Sequence, residues 1–396
     1  MYTSILYNVF SVLPRNLINI YLYEISSVYE KAVNMTDIFN NLTINTMEIS
    51  NRFVRSATMD NMANEGMVSD AEVNLYRELG KGEIGLIVSH GLFPTKEGQC
   101  SPGQLGVHTD ESIPSLNRLV SVVHENDAKI AAQILHGGWR CRPEVTGLPP
   151  VGPSATVNPH SQVRIRELTS NEVYELVESY VQAARRIVKA GFDAIQLHGA
   201  HSWLLSAFLS PVTNKRDDEW GGTNEKRSNF IRQICRRIRQ VAGPDYPILV
   251  KLGIIDYHPE GKSVSDGVEQ AKLLEMDGVD AIEVSEGIEE DPSHHIRLDA
   301  MNPYYIEECQ QVREALAIPV ILVGGMRKLR DMRAVIDEKI ADAISMCRPF
   351  IMDPYIVKNF RAGLTDSSEC ISCNECLTRM RQVQISCTHI TRKFSF

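Results

Sequence analysis

The stretch TSNEVYELVESYVQAARRIVKAGFDAIQLH, residues 169–198, predicts a helix that leads into a buried strand. Apolar side chains recur three and four positions apart through 170–190, which places them on one face of a helix. Thr169 and Glu172 match a capping box at its start, and a glycine follows its end. The run 194–198 is short and nearly apolar, as in a parallel strand covered on both faces. Alternating helices and strands of this kind indicate an α/β fold.

The same alternation continues on both sides of this stretch. The predicted strands are 53–58, 84–89, 129–135, 194–198, 248–252, 281–285, 320–323 and 343–346. The predicted helices are 71–81, 112–125, 170–190, 226–241, 266–276, 303–316, 329–337 and 354–361. Eight strand–helix units favour a (β/α)8 TIM barrel over a doubly wound sheet, and no GxGxxG motif opens a helix after the first strand.

Three regions differ in their pattern. Residues 1–35 carry few charges and follow no helix or strand period, so they are interpreted as an N-terminal extension; Met35 is a candidate for the physiological start, the alternative being a real but poorly packed extension. Residues 36–365 hold the barrel, and the weakly alternating segment 43–51 predicts an N-terminal hairpin that closes the barrel floor. Residues 366–396 form a short Cys-rich C-terminal tail.

The composition excludes several classes of protein. Hydrophobic residues make up 43% and charged residues 23% of the chain, which is typical of a folded globular protein. A net charge of −9 argues against nucleic-acid or anionic-membrane partners, and no stretch of 18 uncharged apolar residues predicts a membrane span. Four of the nine cysteines fall between 370 and 387, which indicates metal or redox chemistry in a reducing compartment such as the cytoplasm.

Polar side chains collect at the predicted strand ends, where TIM barrels carry their active sites. A long excursion, 137–168, leaves the third strand and is interpreted as part of the active-site rim, since a connection of that length is usually functional. Buried polar groups converging on one mouth are costly unless each has a partner, which a large polar ligand would supply. The strand-end residues are Thr58, Met59, His90, Gly91, Gln133, His136, His198, His201, Lys251, Glu283, Ser285, Gly324, Gly325, Cys347 and Arg348.

Gly324 and Gly325 end the seventh strand, and Arg348 follows the eighth. Barrels often bind phosphate with the loops after strands seven and eight. Two glycines let backbone N–H groups approach an anion, and arginine adds a forked cation. The pattern therefore predicts a phosphate site, whereas a Gly-Gly pair alone also fits a plain tight turn.

Several motifs in the correct order give the chain, over roughly 36–387, a family resemblance. The segments NRFVRSAT (51–58), HGAH (198–201), LLSAFLSP (204–211), VGGM (323–326) and SMCRPF (345–350) are similar to old yellow enzyme-type NADH:flavin oxidoreductases. The resemblance implies a TIM barrel that binds FMN non-covalently at its mouth. It also implies that NAD(P)H reduces the flavin, which then reduces a small acceptor such as an activated enone or a quinone.

The resemblance assigns roles to individual residues. It implies that Ser56, Ala57, Thr58, Met59 and Gly91 line the isoalloxazine, that Gln133 binds the pyrimidine edge and that Lys251 lies near flavin N1 and O2. It implies that Gly324, Gly325, Cys347 and Arg348 hold the phosphate, and that His198 and His201 bind an oxygen of the substrate. Other interpretations stay open: the two histidines fit packed polar residues or a metal, and Lys251 fits a Schiff base or a plain salt bridge.

Trp203 and Met59 depart from the family pattern. Trp203 stands where many ene-reducing members carry a tyrosine proton donor, and an indole N–H cannot usefully give up its proton near neutral pH. Met59 lies near the position that modulates flavin N5 and O4, and a thioether offers almost no hydrogen bond. Reduction of an activated C=C by this chain would therefore take its proton from water or from another residue.

The tail spacing is Cys370-x2-Cys373-x2-Cys376-x10-Cys387. Three closely spaced thiolates and a more distant fourth can hold an iron–sulfur cluster. The motif is similar to that in trimethylamine dehydrogenase-like and 2,4-dienoyl-CoA reductase-like relatives. A [4Fe–4S] cluster, a structural zinc and free thiols all remain open at this point.

The sequence thus predicts an FMN-dependent NAD(P)H oxidoreductase with a small-molecule substrate, with a homo-oligomer as an open alternative to a monomer. Two other classes fit parts of the pattern. One is a barrel lyase or aldolase that uses Lys251, and the other is a catalytically lapsed flavin-binding module, which Trp203 favours.

Overall fold

The computed structural model describes residues 37–158, 162–289, 303–382 and 384–389, so the predicted extension 1–35 lies outside the described residues. Eight parallel strands close into one barrel in chain order, and the last pairs with the first. The strands are Phe53–Arg55 (β1), Leu86–Leu92 (β2), Lys129–Ile134 (β3), Ala194–Gly199 (β4), Ile248–Tyr257 (β5), Ala281–Glu289 (β6), Val320–Val323 (β7) and Ala343–Met346 (β8). The predicted TIM barrel is confirmed.

Helices follow the strands and pack around the barrel. They are Asp70–Lys81, Ser112–His124, Ser170–Ala190, Asn224–Arg227, Asn229–Ala242, Val264–Met276, Ile306–Ala315, Leu329–Asp337 and Ile356–Arg361. Short helices not predicted from the sequence are Pro143–Thr146, Leu204–Leu209, Arg348–Met352 and Glu375–Gln382. None of the described helices has the length and hydropathy of a membrane-spanning segment.

Local signals explain where two helices begin and end. Thr169 and Glu172 form the predicted capping box, and Gly191 ends the same helix in the left-handed region with φ +90°. The predicted helix 226–241 is instead interrupted at Ser228, which lies between Asn224–Arg227 and Asn229–Ala242. Capping therefore fixes helix ends here more sharply than apolar periodicity does.

An apolar layer and a hairpin close the barrel floor. The hairpin pairs Leu42–Ile44 with Met47–Ile49 and buries Ile44, Met47 and Ile49 against the lower layer of the barrel interior. That layer consists of Val54, Leu86, Val88, Ala131, Ala194, Leu249, Ala281, Ile321 and Ala343. Burial of each large aliphatic side chain contributes roughly 1.5–3 kcal/mol. The predicted hairpin is confirmed, and the open end of the barrel is the opposite one.

The excursion after β3 carries a small sheet of Val151–Gly152, Thr156–Val157 and Arg164–Glu167. Its first residues reach the loop after β4, because the indole of Trp139 donates to the Ser202 carbonyl and Arg140 donates to the His201 carbonyl at 2.8 Å. The excursion thus lies at the strand-end face of the barrel, as predicted.

Candidate active site at the barrel mouth

Above the apolar floor, the barrel interior becomes polar. Lys251 and Glu283 are register partners on β5 and β6, and their Nζ and Oε1 atoms lie 3.0 Å apart. The same Oε1 atom accepts hydrogen bonds from Ser56 and Ser345, each at 2.8 Å. Lys251 also donates to Ser56 Oγ at 2.8 Å. Since an ammonium group has three donors, these two bonds leave one N–H for a ligand.

Two glutamines extend this network across β3 and β4. Gln196 Nε2 donates to Glu283 Oε2 at 2.8 Å, and Gln133 Nε2 donates to Gln196 Oε1 at 2.7 Å. Because an ionised carboxylate only accepts, Gln196 must turn its nitrogen to Glu283 and its oxygen to Gln133. Gln133 therefore keeps its carbonyl oxygen for a ligand.

Glu283 stays ionised although its side chain is 0% exposed. Burial alone raises the pKa of a carboxyl group. The charge of Lys251 and the hydrogen bonds from Ser56, Lys251 and Gln196 outweigh burial, so the pKa of Glu283 lies below its ordinary value. The polar layer is thus an ion pair of Lys251 and Glu283, and hydrogen bonds to the carboxylate offset the cost of its burial.

The two predicted histidines come together at the end of β4. Their ring centroids lie 5.0 Å apart and the rings meet edge to face. His198 Nδ1 accepts from the Ala200 amide at 3.3 Å, so the neutral ring carries its proton on Nε2 as a donor. His201 Nε2 lies 2.6 Å from Ser285 Oγ. The pair can therefore offer a hydrogen bond to an oxygen atom of a substrate.

The loop that carries His201 has a strained backbone. His201 and Ser202 lie in the left-handed region, with φ +56° and +62°, which costs about 1–3 kcal/mol for each residue. Their amides donate to carbonyl oxygens of β6, at 3.0 and 3.1 Å, and their carbonyls accept from the side chains of Trp139 and Arg140. Four hydrogen bonds thus hold the strained turn.

Trp203 lies beside the histidines. Its ring centroid is 6.3 Å from that of His198, and the Arg140 guanidinium carbon lies 4.8 Å from the centre of the indole ring. The indole is therefore covered by a cation, which fits a positioned aromatic wall of the site and offers no group that releases a proton.

The predicted phosphate residues lie at the ends of β7 and β8. Gly324 and Gly325 have φ +119° and +70°, and a Cβ at Gly324 would lie 2.2 Å from the Tyr304 ring. Arg348 donates to Asn374 Oδ1 in the tail at 2.7 Å, a contact that the sequence did not predict. The glycine turn and the arginine fit a phosphate site, and Arg348 also ties that site to the tail.

The residues predicted to line the ring system follow β1 and lie within β2. Thr58 Oγ1 is 3.1 Å from Cys347 Sγ, which joins the ends of β1 and β8. Ala57 and Met59 are half-buried. A Cβ at Gly91 would lie 2.6 Å from the side chain that follows β3, so only glycine fits this packing.

The sequence did not predict three of the polar residues that the structure brings together. Gln196 and Ser345 join the Glu283 network, and the signal for both was a polar residue inside an otherwise apolar strand. Glu72 lies in a cluster with His90, which is 0% exposed and was expected among the mouth residues. His90 contacts Asp60 and Glu72 and does not join the Glu283 network.

The four predicted tail cysteines line one cavity, together with Arg348. Thiolates bound to zinc at about 2.3 Å would hold their sulfur atoms about 3.8 Å apart. No three of these four sulfurs, all within the described part of the tail, lie within 4.8 Å of one another. The four sulfurs as placed are therefore too far apart for a single zinc ion, and what they share is the cavity that they line.

Other contacts of the tail bear on this fit. Arg327 is buried and holds the tail to the barrel through the Cys370 carbonyl at 3.0 Å and Ser372 Oγ at 2.7 Å. Cys373 lies within 4.8 Å of donor atoms of Glu375 and His389. Burial raises the pKa of Cys376 to about 12, so metal binding there must displace a proton.

Two known proteins are similar to this chain in sequence. The chain is 35% identical over 350 residues to an NADH oxidase of Thermoanaerobacter brockii, a match that covers 85% of this chain and 53% of that protein. It is 33% identical over 323 residues to an NADPH dehydrogenase of Bacillus cytotoxicus, covering 81% of this chain and 90% of that protein. The chain thus spans about half the length of the first relative and most of the second.

A solved structure of histamine dehydrogenase from Rhizobium sp. 4-9 superposes with a TM-score of 0.80 at 26% identity, over 88% of this chain and 51% of that chain. The family model described as NADH:flavin oxidoreductase / NADH oxidase matches residues 37–367. These matches confirm the predicted family and FMN as the cofactor that it implies. The chain belongs to the NADH:flavin oxidoreductase / NADH oxidase family.

Proposed function

We propose that this protein is an FMN-dependent oxidoreductase that takes hydride from NAD(P)H and delivers it to a small acceptor such as an activated enone or a quinone. The observation that carries the proposal is the polar layer at the barrel mouth. Lys251 keeps one donor and Gln133 keeps its carbonyl oxygen, next to the end of the barrel that carries His198 and His201. Bound FMN supplies the hydride carrier in such a reaction.

Two sets of residues hold the cofactor in this proposal. Lys251 and Gln133 bind the pyrimidine edge of the ring system, and the segment after β1 lines the ring together with Gly91. The phosphate is held by Gly324, Gly325, Cys347 and Arg348. A cation at the ring edge favours the negative charge that reduction places there.

The substrate lies against the histidine pair. His198 donates from Nε2 to an oxygen of the acceptor, which draws electrons from the carbon that receives hydride. Trp203 closes the site as an aromatic wall. Since Trp203 cannot release a proton, the proton that completes the reduction comes from water or from another residue.

The lyase alternative is disfavoured by the contacts of Lys251. A Schiff-base lysine attacks as the neutral amine. Lys251 Nζ instead lies 3.0 Å from the Glu283 carboxylate and donates to Ser56 Oγ. This ion pair fits a fixed electrostatic role for Lys251.

Anaerobic titration of the yellow protein with NADH and NADPH tests the proposed activity. We expect at least one nicotinamide to bleach the flavin, and an enone or quinone to restore the colour. A flavin that stays oxidised with both nicotinamides contradicts the electron-donor assignment. Bleaching without reoxidation by any enone or quinone supports a flavin-binding module that lacks this catalysis.

For the tail we propose a [4Fe–4S] cluster bound by Cys370, Cys373, Cys376 and Cys387. The support is the cavity that all four cysteines line and their spacing along the chain. Such a cluster supplies one-electron transfer when bound. Anaerobically purified protein should contain iron and acid-labile sulfide. Cys373→Ser should remove both, whereas the matched control Cys235→Ser, at a buried cysteine outside the tail, should keep them. Zinc alone, or no metal, contradicts the proposal.

A further inference from the structure

Glu283 is the centre of the polar layer. Its two carboxylate oxygens accept four hydrogen bonds within 3.0 Å, from Ser56, Ser345 and Lys251 on Oε1 and from Gln196 on Oε2. The side chain is fully buried, so it does not touch a ligand at the mouth. An inner carboxylate of this kind can act only through the groups that it holds.

Glu283 holds two groups that the proposed function assigns to the same edge of the flavin, Lys251 and Gln133. Through the ion pair it fixes the Lys251 ammonium with two of its three donors occupied. Through Gln196 it fixes the amide of Gln133, because each amide can satisfy the next in only one orientation. A single carboxylate thus sets one donor cation on β5 and one acceptor oxygen on β3, the two strands that flank β4.

We propose that Glu283 is a positioning residue that sets the charge and the hydrogen-bond polarity met by the pyrimidine edge of the flavin. This inference rests on the proposed function, since it requires FMN to lie over Lys251 and Gln133. Gln196 is the intermediate that carries the effect from Glu283 to Gln133.

Glu283 acts through Lys251 on one side and through Gln196 and Gln133 on the other, and these two routes predict different consequences. The Lys251–Glu283 pair carries no net charge, so the carboxylate offsets much of the attraction that Lys251 exerts on a negatively charged reduced flavin. Neutralising Glu283 removes this offset and should raise the flavin reduction potential. Removing Lys251 leaves the carboxylate alone and should lower it. Gln196 acts on the orientation of the Gln133 amide, so its loss should change the binding of FMN more than the reduction potential of the flavin.

The main experiment compares flavin reduction potentials of the full-length protein, measured by dye equilibration. We expect Glu283→Gln to retain FMN and to show a higher potential than the wild type, and Lys251→Met to show a lower one. The matched control is Asp277→Asn, which neutralises a buried carboxylate that pairs with Arg232 and Arg236 before the start of β6. This control should leave the potential unchanged.

A second variant keeps the inference testable if Glu283→Gln does not fold. Gln196→Met leaves the ion pair in place and releases Gln133, so the FMN dissociation constant should rise about tenfold for one lost oriented hydrogen bond. An unchanged potential in a folded, FMN-loaded Glu283→Gln protein overturns the inference, as does unchanged FMN affinity in Gln196→Met. Wild-type protein that takes up no FMN would instead overturn the proposed function itself.

Discussion

Two buried glutamates, Glu283 and Glu72, show how one fold sets opposite charge states for the same side chain. Both are 0% exposed. Glu283 lies 3.0 Å from the Lys251 ammonium, and its pKa is lowered despite burial. Burial and the neighbouring Asp60 carboxylate raise the pKa of Glu72 to about 9. Burial favours the neutral acid in both cases, and the charge of the neighbour decides the outcome.

The surroundings of Glu72 explain why it keeps its proton. His90 lies between the two carboxyl groups, with Nδ1 3.3 Å from Asp60 Oδ1 and Nε2 3.6 Å from Glu72 Oε1. Burial lowers the pKa of His90, so this ring does not supply the positive charge that Lys251 supplies to Glu283. Glu72 also completes the capping box of Asp70–Lys81 with Ser69. The charge of Glu283 is therefore offset by a cation, whereas Glu72 is kept neutral by a proton.

Breaking the ion pair should have the largest effect. Lys251→Met leaves a buried carboxylate without its cation, and the free energy of unfolding should fall by about 3–5 kcal/mol. The double variant Lys251→Met with Glu283→Gln should recover most of that loss, because no buried charge remains. Urea unfolding of the three proteins measures both effects. A single variant as stable as the wild type would show that Glu283 does not depend on Lys251.

Glu72→Gln tests whether Glu72 holds a proton in the folded protein, because that proton makes stability depend on pH. Between the unfolded value of 4.5 and about 9, the folded protein holds a proton on Glu72 that the unfolded chain has released. Stability contributed by this group is fully present below 4.5 and is lost as pH rises, by about 1.4 kcal/mol per pH unit. The variant lacks this loss, so it should gain about 2 kcal/mol on the wild type between pH 7 and 8.5.

Unfolding free energies of wild type and variant across that pH range give the measurement. Asp70→Asn in the same helical turn is the matched control, because the Asp70 side chain is 89% exposed. Parallel pH profiles for the wild type and Glu72→Gln would mean that Glu72 is already ionised in the folded protein.

The smallest effect is expected at an exposed carboxylate. Arg118 pairs with Asp70, and their side chains are 52% and 89% exposed. Arg118→Met should change the free energy of unfolding by no more than about 1 kcal/mol, because solvent screens the pair. A loss as large as that of Lys251→Met would mean that ion pairs count here regardless of burial.

The periodicity of apolar residues predicted most of the strands and helices of the barrel. All eight barrel strands were predicted, and β7 and β8 match residue for residue. The floor hairpin and the helix Ser170–Ala190 were predicted from alternation and capping, which depend on neighbours in the chain. The prediction was wrong where a helix is interrupted at Ser228, since continuous periodicity does not reveal a local break.

The candidate site was predicted in part. Lys251, Glu283 and Gln133 were expected at strand ends, and they join one network. Gln196 and Ser345 were not, because a polar residue in a short strand points either into the barrel or away from it. Strand register settles that choice, and register is a property of the closed sheet.

The alternation of apolar strands and amphipathic helices by itself determined a (β/α)8 barrel with its polar groups at one end, because both periods are local. Only the tertiary structure decided which buried carboxylate is ionised. Glu283 and Glu72 are both fully buried. The charge state of Glu283 depends on a lysine 32 residues away in the chain, and that of Glu72 depends on Asp60. Electrostatic energy depends on distance through space, which the order of residues does not contain.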